Sequence, residues 1–288
     1  MCFHRSTTTL ASNHSLLHAF SFCFLALSLA AAAIAEDRVA DLDAQSEDVP
    51  AGNAADTAKQ ELDVVAHWRF QKGISGSSAN SSQLIEDSSR NSRHGRAVGG
   101  PRYVSIDHPT ANLALAFDGR DDRIAIADHS VFHLTKSFTI EAWIDIAFYP
   151  GSRQNRSFIA FRGDQRAGFD PWYVGLEESG QLAFQIADSI AKTSVVLSPE
   201  PLPTRKLLHI AAVLNHETGK QSLYVNGKRV ASVKTNIRAG GPLGGKGPGI
   251  GIGGRQDDSH QGYTGSIAEL RITAQALAPS QFLLSESK

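Results

Sequence analysis

From Val64 onward, apolar and polar side chains alternate with a period of two, and that alternation restricts the chain to strands. Phe138, Ile140, Ala142 and Ile144 alternate with Thr139, Glu141, Trp143 and Asp145, and Leu182, Phe184 and Ile186 alternate with Ala183, Gln185 and Ala187. Successive side chains of a strand point to opposite faces, so each run offers one face to a core and the other to its surroundings. Asn226-Gly227 lies between Ser222-Leu223-Tyr224-Val225 and Arg229-Val230-Ala231-Ser232-Val233, the sequence signature of a tight hairpin. Glu178-Ser179-Gly180 and Glu217-Thr218-Gly219 punctuate further apolar runs. No stretch carries a sustained helical pattern, although Pro279 is placed to open one turn through Phe282 and Leu283. A dozen or so short strands with little helix predict an all-β fold, two antiparallel sheets stacked about 10 Å apart.

The glycine-rich stretch 239–254 predicts a long irregular connection that ends in a strand around Ile250-Gly251-Ile252-Gly253. It is not a phosphate loop, because no Lys-Ser/Thr closes it and no helix follows.

Residues 1–35 read as a secretory signal peptide: Arg5, an apolar run from Leu16 to Ile34, and Ala33-Ile34-Ala35 before Glu36. A retained membrane anchor is the alternative reading of that run. Both cysteines, Cys2 and Cys23, fall within residues 1–35, so a processed chain would have to fold without disulfides. Residues 36–63 carry nine acids against Arg38 and Lys59 with no aromatic, which predicts a flexible acidic linker. Residues 64–288 then form the globular domain. Removing Arg5 with the leader leaves 27 basic against 29 acidic residues. A near-neutral balance without a basic stripe argues against a nucleic-acid partner, and no second apolar stretch predicts membrane insertion after cleavage.

Several motifs occur together in order. Ala114-Leu115-Ala116-Phe117-Asp118-Gly119-Arg120-Asp121-Asp122 is followed by Ser137-Phe138-Thr139-Ile140-Glu141-Ala142-Trp143, then by His209-Ile210-Ala211-Ala212-Val213 and Leu223-Tyr224-Val225-Asn226-Gly227-Lys228. Ile252-Gly253-Gly254-Arg255 and Gly265-Ser266-Ile267-Ala268-Glu269-Leu270-Arg271-Ile272 complete the series, with His67-Trp68-Arg69-Phe70 and the loop Asp87 to Gly95 at its start. Together they resemble a laminin-G-like, concanavalin-A-like domain. The resemblance implies a jelly-roll sandwich and leaves the activity open; the leader at residues 1–35 predicts export, to a secreted or cell-envelope (periplasmic) location. Leu208 stands where this family often has Trp, and Ala268 where it usually has Asp.

The resemblance also implies a structural calcium ion at a sheet edge, with Asp118, Asp122 and Glu269 at the matching positions. Carboxylates are the hard oxygen donors that calcium prefers. The ordinary structural roles of the same residues are a turn at Asp118-Gly119, a strand cap at Asp122 and an ion pair of Glu269 with Arg271. For saccharide binding, two aromatic and polar clusters stand out in predicted turns: Phe169, Asp170, Trp172 and Tyr173, and Asp257, Asp258 and Tyr263. Rings cover the apolar face of a pyranose while neighbouring side chains meet its hydroxyls, and loops carry such residues most often. The competing reading has Trp172 and Tyr173 opening a strand with one ring buried, and Tyr263 packing on the rim. Arg90, Arg93, Arg96 and Arg102 gather near one loop and would suit an anionic glycan.

Enzymatic signals are sparse. Glu141 and Asp145 share a strand face and are the only candidate carboxyl pair for glycoside hydrolysis. No G-x-S-x-G elbow occurs, and the histidines lack zinc spacing. The expectation is a secreted, non-catalytic binding module that recognises a glycan or an extracellular protein surface through rim loops. A polysaccharide-active enzyme and a structural or assembly module are the alternatives.

Overall fold

The computed structural model describes residues 61–284, apart from 109, 167–168, 191 and 258–259. The expected signal peptide, both cysteines and the expected linker up to residue 60 lie outside the described residues.

Chain order gives β1 (Val64–Trp68), β2 (Leu84–Ile85), β3 (Gly95–Val98), β4 (Arg102–His108), β5 (Ala111–Asp118) and β6 (Arg123–Ala127). Next come β7 (Phe138–Ile146), β8 (Arg156–Gly163), β9 (Trp172–Glu177), β10 (Gln181–Ser189) and β11 (Lys192–Pro201). The series ends with β12 (Leu207–Asn215), β13 (Lys220–Val225), β14 (Lys228–Lys234), β15 (Gly249–Ile252) and β16 (Thr264–Thr273). They form two eight-stranded antiparallel sheets. One runs β14-β13-β12-β7-β16-β5-β4 with β1 also paired to β16, and the other runs β11-β10-β9-β8-β15-β6-β3-β2. Neighbours far apart in sequence, such as β7 beside β16 and β8 beside β15, make this the jelly-roll sandwich expected.

The period-two pattern decides which side chains meet between the sheets. Phe138, Ile140, Ala142, Ile144 and Ile146 of β7 join Leu182, Phe184 and Ile186 of β10 in one core. The Phe138 and Phe184 rings meet edge to face at 5.8 Å, an arrangement that adds about 0.5–1.5 kcal/mol beyond the area buried. Trp68 is fully buried, its indole N–H donating to Arg93 O at 2.9 Å.

Turn chemistry behaves as read. Asn226 (φ 48°) and Gly227 (φ 77°) both adopt the left-handed region that a two-residue hairpin between β13 and β14 requires. The glycine-rich connection ends in β15, and Pro279–Gln281 makes a single 3-10 turn. Glu61 to Asp63, assigned to the flexible linker, are instead tied to the domain: Asp63 N donates to Gln275 Oε1 at 3.1 Å, Asp63 O accepts from Ala274 N at 2.9 Å, and Leu62 packs near Phe282.

Candidate functional site

The tight turn after β5 builds one wall of a cleft on the sandwich rim. Asp118 Oδ1 accepts from Arg120 N at 2.8 Å, and Asp122 Oδ2 accepts from Asp118 N at 3.1 Å, so two carboxylates hold the turn closed. Gly119 sits at φ 76°, and a β-carbon there would overlap Thr264 Oγ1; only glycine fits both the backbone and the space. The opposite wall is the connection 147–155. It is held to the first by Gln154 Nε2 donating to Gly119 O at 3.0 Å, and to β16 by Ala147 N donating to Thr264 O at 3.0 Å.

The resulting cleft encloses about 500 Å³, with Asp118, Arg120, Tyr149, Arg153, Gln154 and Thr264 among its lining residues. Tyr149 is anchored by its hydroxyl, which donates to Leu202 O at 2.5 Å. Beside it Phe148 is 61% exposed, with the Arg205 guanidinium 6.0 Å from its ring centroid. An exposed ring next to a polar cleft is the combination that sugar recognition uses, and the sequence clusters had pointed elsewhere. The available signal was Phe148-Tyr149-Pro150-Gly151, aromatics running into a Pro-Gly turn.

Asp118, Asp121 and Asp122 bring one carboxylate oxygen each within 4.8 Å of one another. This donor set suits a hard cation such as calcium. Burial, then the neighbouring Asp118 charge, pushes the Asp122 carboxyl above its ordinary range, as expected where like charges crowd. Glu269 does not belong to this group, which corrects the sequence assignment. Asp118 pairs with Thr264, five residues before Glu269 on the same strand, roughly 16 Å at strand rise. Glu269 instead bonds His67 Nε2 at 3.0 Å and lies 3.6 Å from Arg69 Nε.

The predicted aromatic contacts are placed differently from expectation. Trp172 and Tyr263 have no exposed surface, Tyr173 is 1% exposed and Phe169 6%. Trp172 enters the core between the sheets, whereas Tyr173 packs with Phe158, Phe161 and Ala183 on the outer side of β8 to β10. Tyr263 donates its hydroxyl to Asp145 O at 2.9 Å, and burial raises its pKa well above the usual phenol value. Rings enclosed in this way offer no face to a sugar: Trp172 and Tyr263 belong to the core between the sheets, and Tyr173 to a buried cluster on which Arg255 lies over Phe161.

The segments that carry the predicted residues do converge. Arg255 lies 4.8 Å over Phe161 and bonds Asp257 Oδ1 at 3.2 Å. Arg156 donates to Tyr173 Oη at 2.7 Å, and Tyr173 to Glu177 Oε1 at 3.3 Å. Burial pushes the Asp170 carboxyl upward, with Arg255 and Arg156 pulling it the other way. Asp258 lies outside the described residues.

The candidate carboxyl pair is also accounted for structurally. Glu141 accepts from Arg271 Nε at 2.8 Å and Nη2 at 2.5 Å, from His209 Nε2 at 3.0 Å, and from Leu283 N at 2.7 Å. It is 1% exposed beneath the C-terminal segment, whereas Asp145 lies at the rim end of the same strand. A carboxylate so enclosed has neither a free oxygen nor access to a substrate. Trp143, on the same outer face, donates its indole N–H to Leu283 O at 2.5 Å and meets the His108 ring edge to face at 4.6 Å. Of the basic residues near one loop, Arg90 pairs with Glu61 and Arg102 donates to Gly76 O at 2.6 Å.

Over residues 118–281 the sequence matches the family described as the concanavalin A-like lectin/glucanases superfamily. The chain belongs to this superfamily. No curated protein sequence matches it. Among solved structures, this superfamily domain is similar to the binding domain of Paraclostridial Mosquitocidal Protein 1, with TM-score 0.57, 15% identity, and coverage of 76% of this chain and 50% of that one. The receptor-binding domain of the botulinum neurotoxin C/D mosaic serotype gives TM-score 0.54 at 16% identity, over 76% and 49% of the two chains. Domain 4 of AbnA, an extracellular arabinanase from Geobacillus stearothermophilus, gives TM-score 0.52 at 19% identity, over 77% and 97%. The superfamily domain thus spans about half of each toxin binding domain and nearly all of the arabinanase domain. At these identities the likeness is one of fold.

Proposed function

We propose that this chain is an exported, non-catalytic saccharide-binding module whose ligand seats in the rim cleft between the 118–122 turn and the 147–155 connection. The observation that carries the reading is a rim cleft lined by Tyr149, Asp118, Gln154 and arginines, with the residue before Tyr149, Phe148, 61% exposed. A flat ring covers the apolar face of a pyranose, and the polar side chains exchange hydrogen bonds with its hydroxyls. Such loop-borne groups on a rigid sandwich are a common way of building a site. The fold supports the reading, since the similar arabinanase domain was solved in complex with arabinotriose.

The non-catalytic part of the proposal is supported by Glu141, whose oxygens are all engaged. Calcium enters as a structural ion: Asp118, Asp121 and Asp122 are the residues that would hold it, and it would stiffen the turn that forms one wall. The test is a glycan array on the full chain beside Phe148→Ala and Gln154→Ala. Both variants should lose the bound saccharides by about tenfold or more. Wild-type binding in both variants, or no binding by any form, would remove the assignment.

A further inference from the structure

Within the cleft the charges are unequal, and this indicates what kind of saccharide fits. Asp118, Arg120 and Arg153 are its charged lining residues. One oxygen of the Asp118 carboxylate, Oδ1, is engaged by Arg120 N, and the Asp122 carboxylate packs against Gly99, outside the cleft lining. Arg120 and Arg153 are exposed on opposite walls. Neither guanidinium has a hydrogen-bond or ion-pair partner among the described residues, unlike Arg156, Arg162, Arg166 and Arg271, each of which meets a carboxylate. Arg205 adds a third cation beside the Phe148 ring, where its contact is with the π face and not with an acid.

A guanidinium presents a planar fork of N–H groups that matches a carboxylate or sulfate in two-pronged geometry. Two such forks among the lining of one cleft, with exposed Phe148 next in sequence to the lining residue Tyr149, form a receptor for a sugar that carries negative charge.

Resting on the saccharide-binding reading above, we infer that the rim cleft selects anionic saccharides, holding a carboxylate or sulfate group between Arg120 and Arg153 while the pyranose lies against Phe148.

The experiment compares matched probes by titration calorimetry with the full chain. Oligogalacturonide is set against its methyl ester, and a sulfated galactan oligosaccharide against its desulfated form, so that charge changes while the sugar does not. The charged member of at least one pair should bind on the order of tenfold tighter, and the difference should shrink as salt is raised. Arg120→Gln/Arg153→Gln should abolish the difference, while Arg229→Gln on the exposed face of β14 should keep it. Calcium chelation should leave it in place. Which pair responds identifies the anion as carboxylate or sulfate. Equal binding of charged and neutral members, or a preference that survives Arg120→Gln/Arg153→Gln, overturns the inference while leaving saccharide binding intact. Failure of all four probes, with failure of the wider array, removes both.

Discussion

Replacing Glu141 by Gln should destabilise the domain severely, because that carboxylate is the common partner of three elements. It joins Arg271 of β16, His209 of β12 and the backbone of Leu283 in the C-terminal segment. Arg271 is 8% exposed and His209 has no exposed surface. Removing the negative charge leaves a buried guanidinium without compensation, a change that typically costs about 3–5 kcal/mol. The amide also has one acceptor oxygen in place of two, so one of the donors at the former Oε2 goes unmatched. For a domain of this size, roughly 2–4 °C of Tm accompanies each kcal/mol, which amounts to a fall of about 6–20 °C. Thermal and urea melts of wild type, Glu141→Gln and Glu141→Leu/Arg271→Met provide the assay. The double substitution replaces both charges by apolar groups of similar volume and should recover much of the loss. A cost below about 1 kcal/mol for Glu141→Gln would refute the structural role and return Glu141 to the list of candidate catalytic carboxylates.

Acid should weaken the fold in two stages. Burial lowers the His108 pKa from 6.5, so the unfolded chain takes up a proton before the folded one, and stability falls as pH drops below that ordinary value. Burial alone would raise the Glu269 carboxyl, but the His67 hydrogen bond and the charges of His67, Arg69 and His108 bring it below 4.5; its contribution is therefore present above that value and lost as pH falls through the lowered one. Melts at stepped pH should show both stages, with the upper one flattened in His108→Phe; a profile level from pH 7 to 4 would contradict this. Gly119→Ala should cost about 1–3 kcal/mol and weaken saccharide binding, since the turn must leave the left-handed region or push Thr264 away; unchanged melting and binding would show that the turn does not shape the cleft. Calcium at a hundredfold excess over its Kd should add about 2.7 kcal/mol of stability, with the response lost in Asp121→Asn; identical melts in calcium and in chelator would remove the ion from the account. Reducing-sugar release from a polysaccharide panel should stay at the blank level, and sustained release would point to an enzyme.

The strands were readable because period-two alternation is local: each residue of β7 and β10 declares its face through its immediate neighbours. Asn226-Gly227 was equally readable, since the positive φ values it allows are intrinsic to those residues. What covers an outward face is not local. Tyr173 alternates outward as expected, yet it is enclosed because Arg255 and its flanking loop return from about 80 positions away along the chain to lie over the same surface as Phe161. Glu141 was legible as half of a candidate carboxyl pair with Asp145, and only the fold brings Leu283 and Arg271 to it. Only the Glu269 part of the metal assignment departs, for the same reason: Asp118 and Asp122 adjoin through one turn, whereas the Glu269 position depends on how far along β16 the pairing with β5 runs. Phe148-Tyr149-Pro150-Gly151 marked a turn, but which of its rings packs and which stays exposed depends on the surrounding fold.

Backbone amide shift mapping during titration of the full chain with a saccharide selected from the array tests the central claim most directly. The account predicts that shifts concentrate at Gly119, Arg120 and the 148–154 stretch on the two walls of the rim cleft. Shifts confined to the outer side of β9 to β11, with Gly119 and Arg120 unmoved, would contradict it.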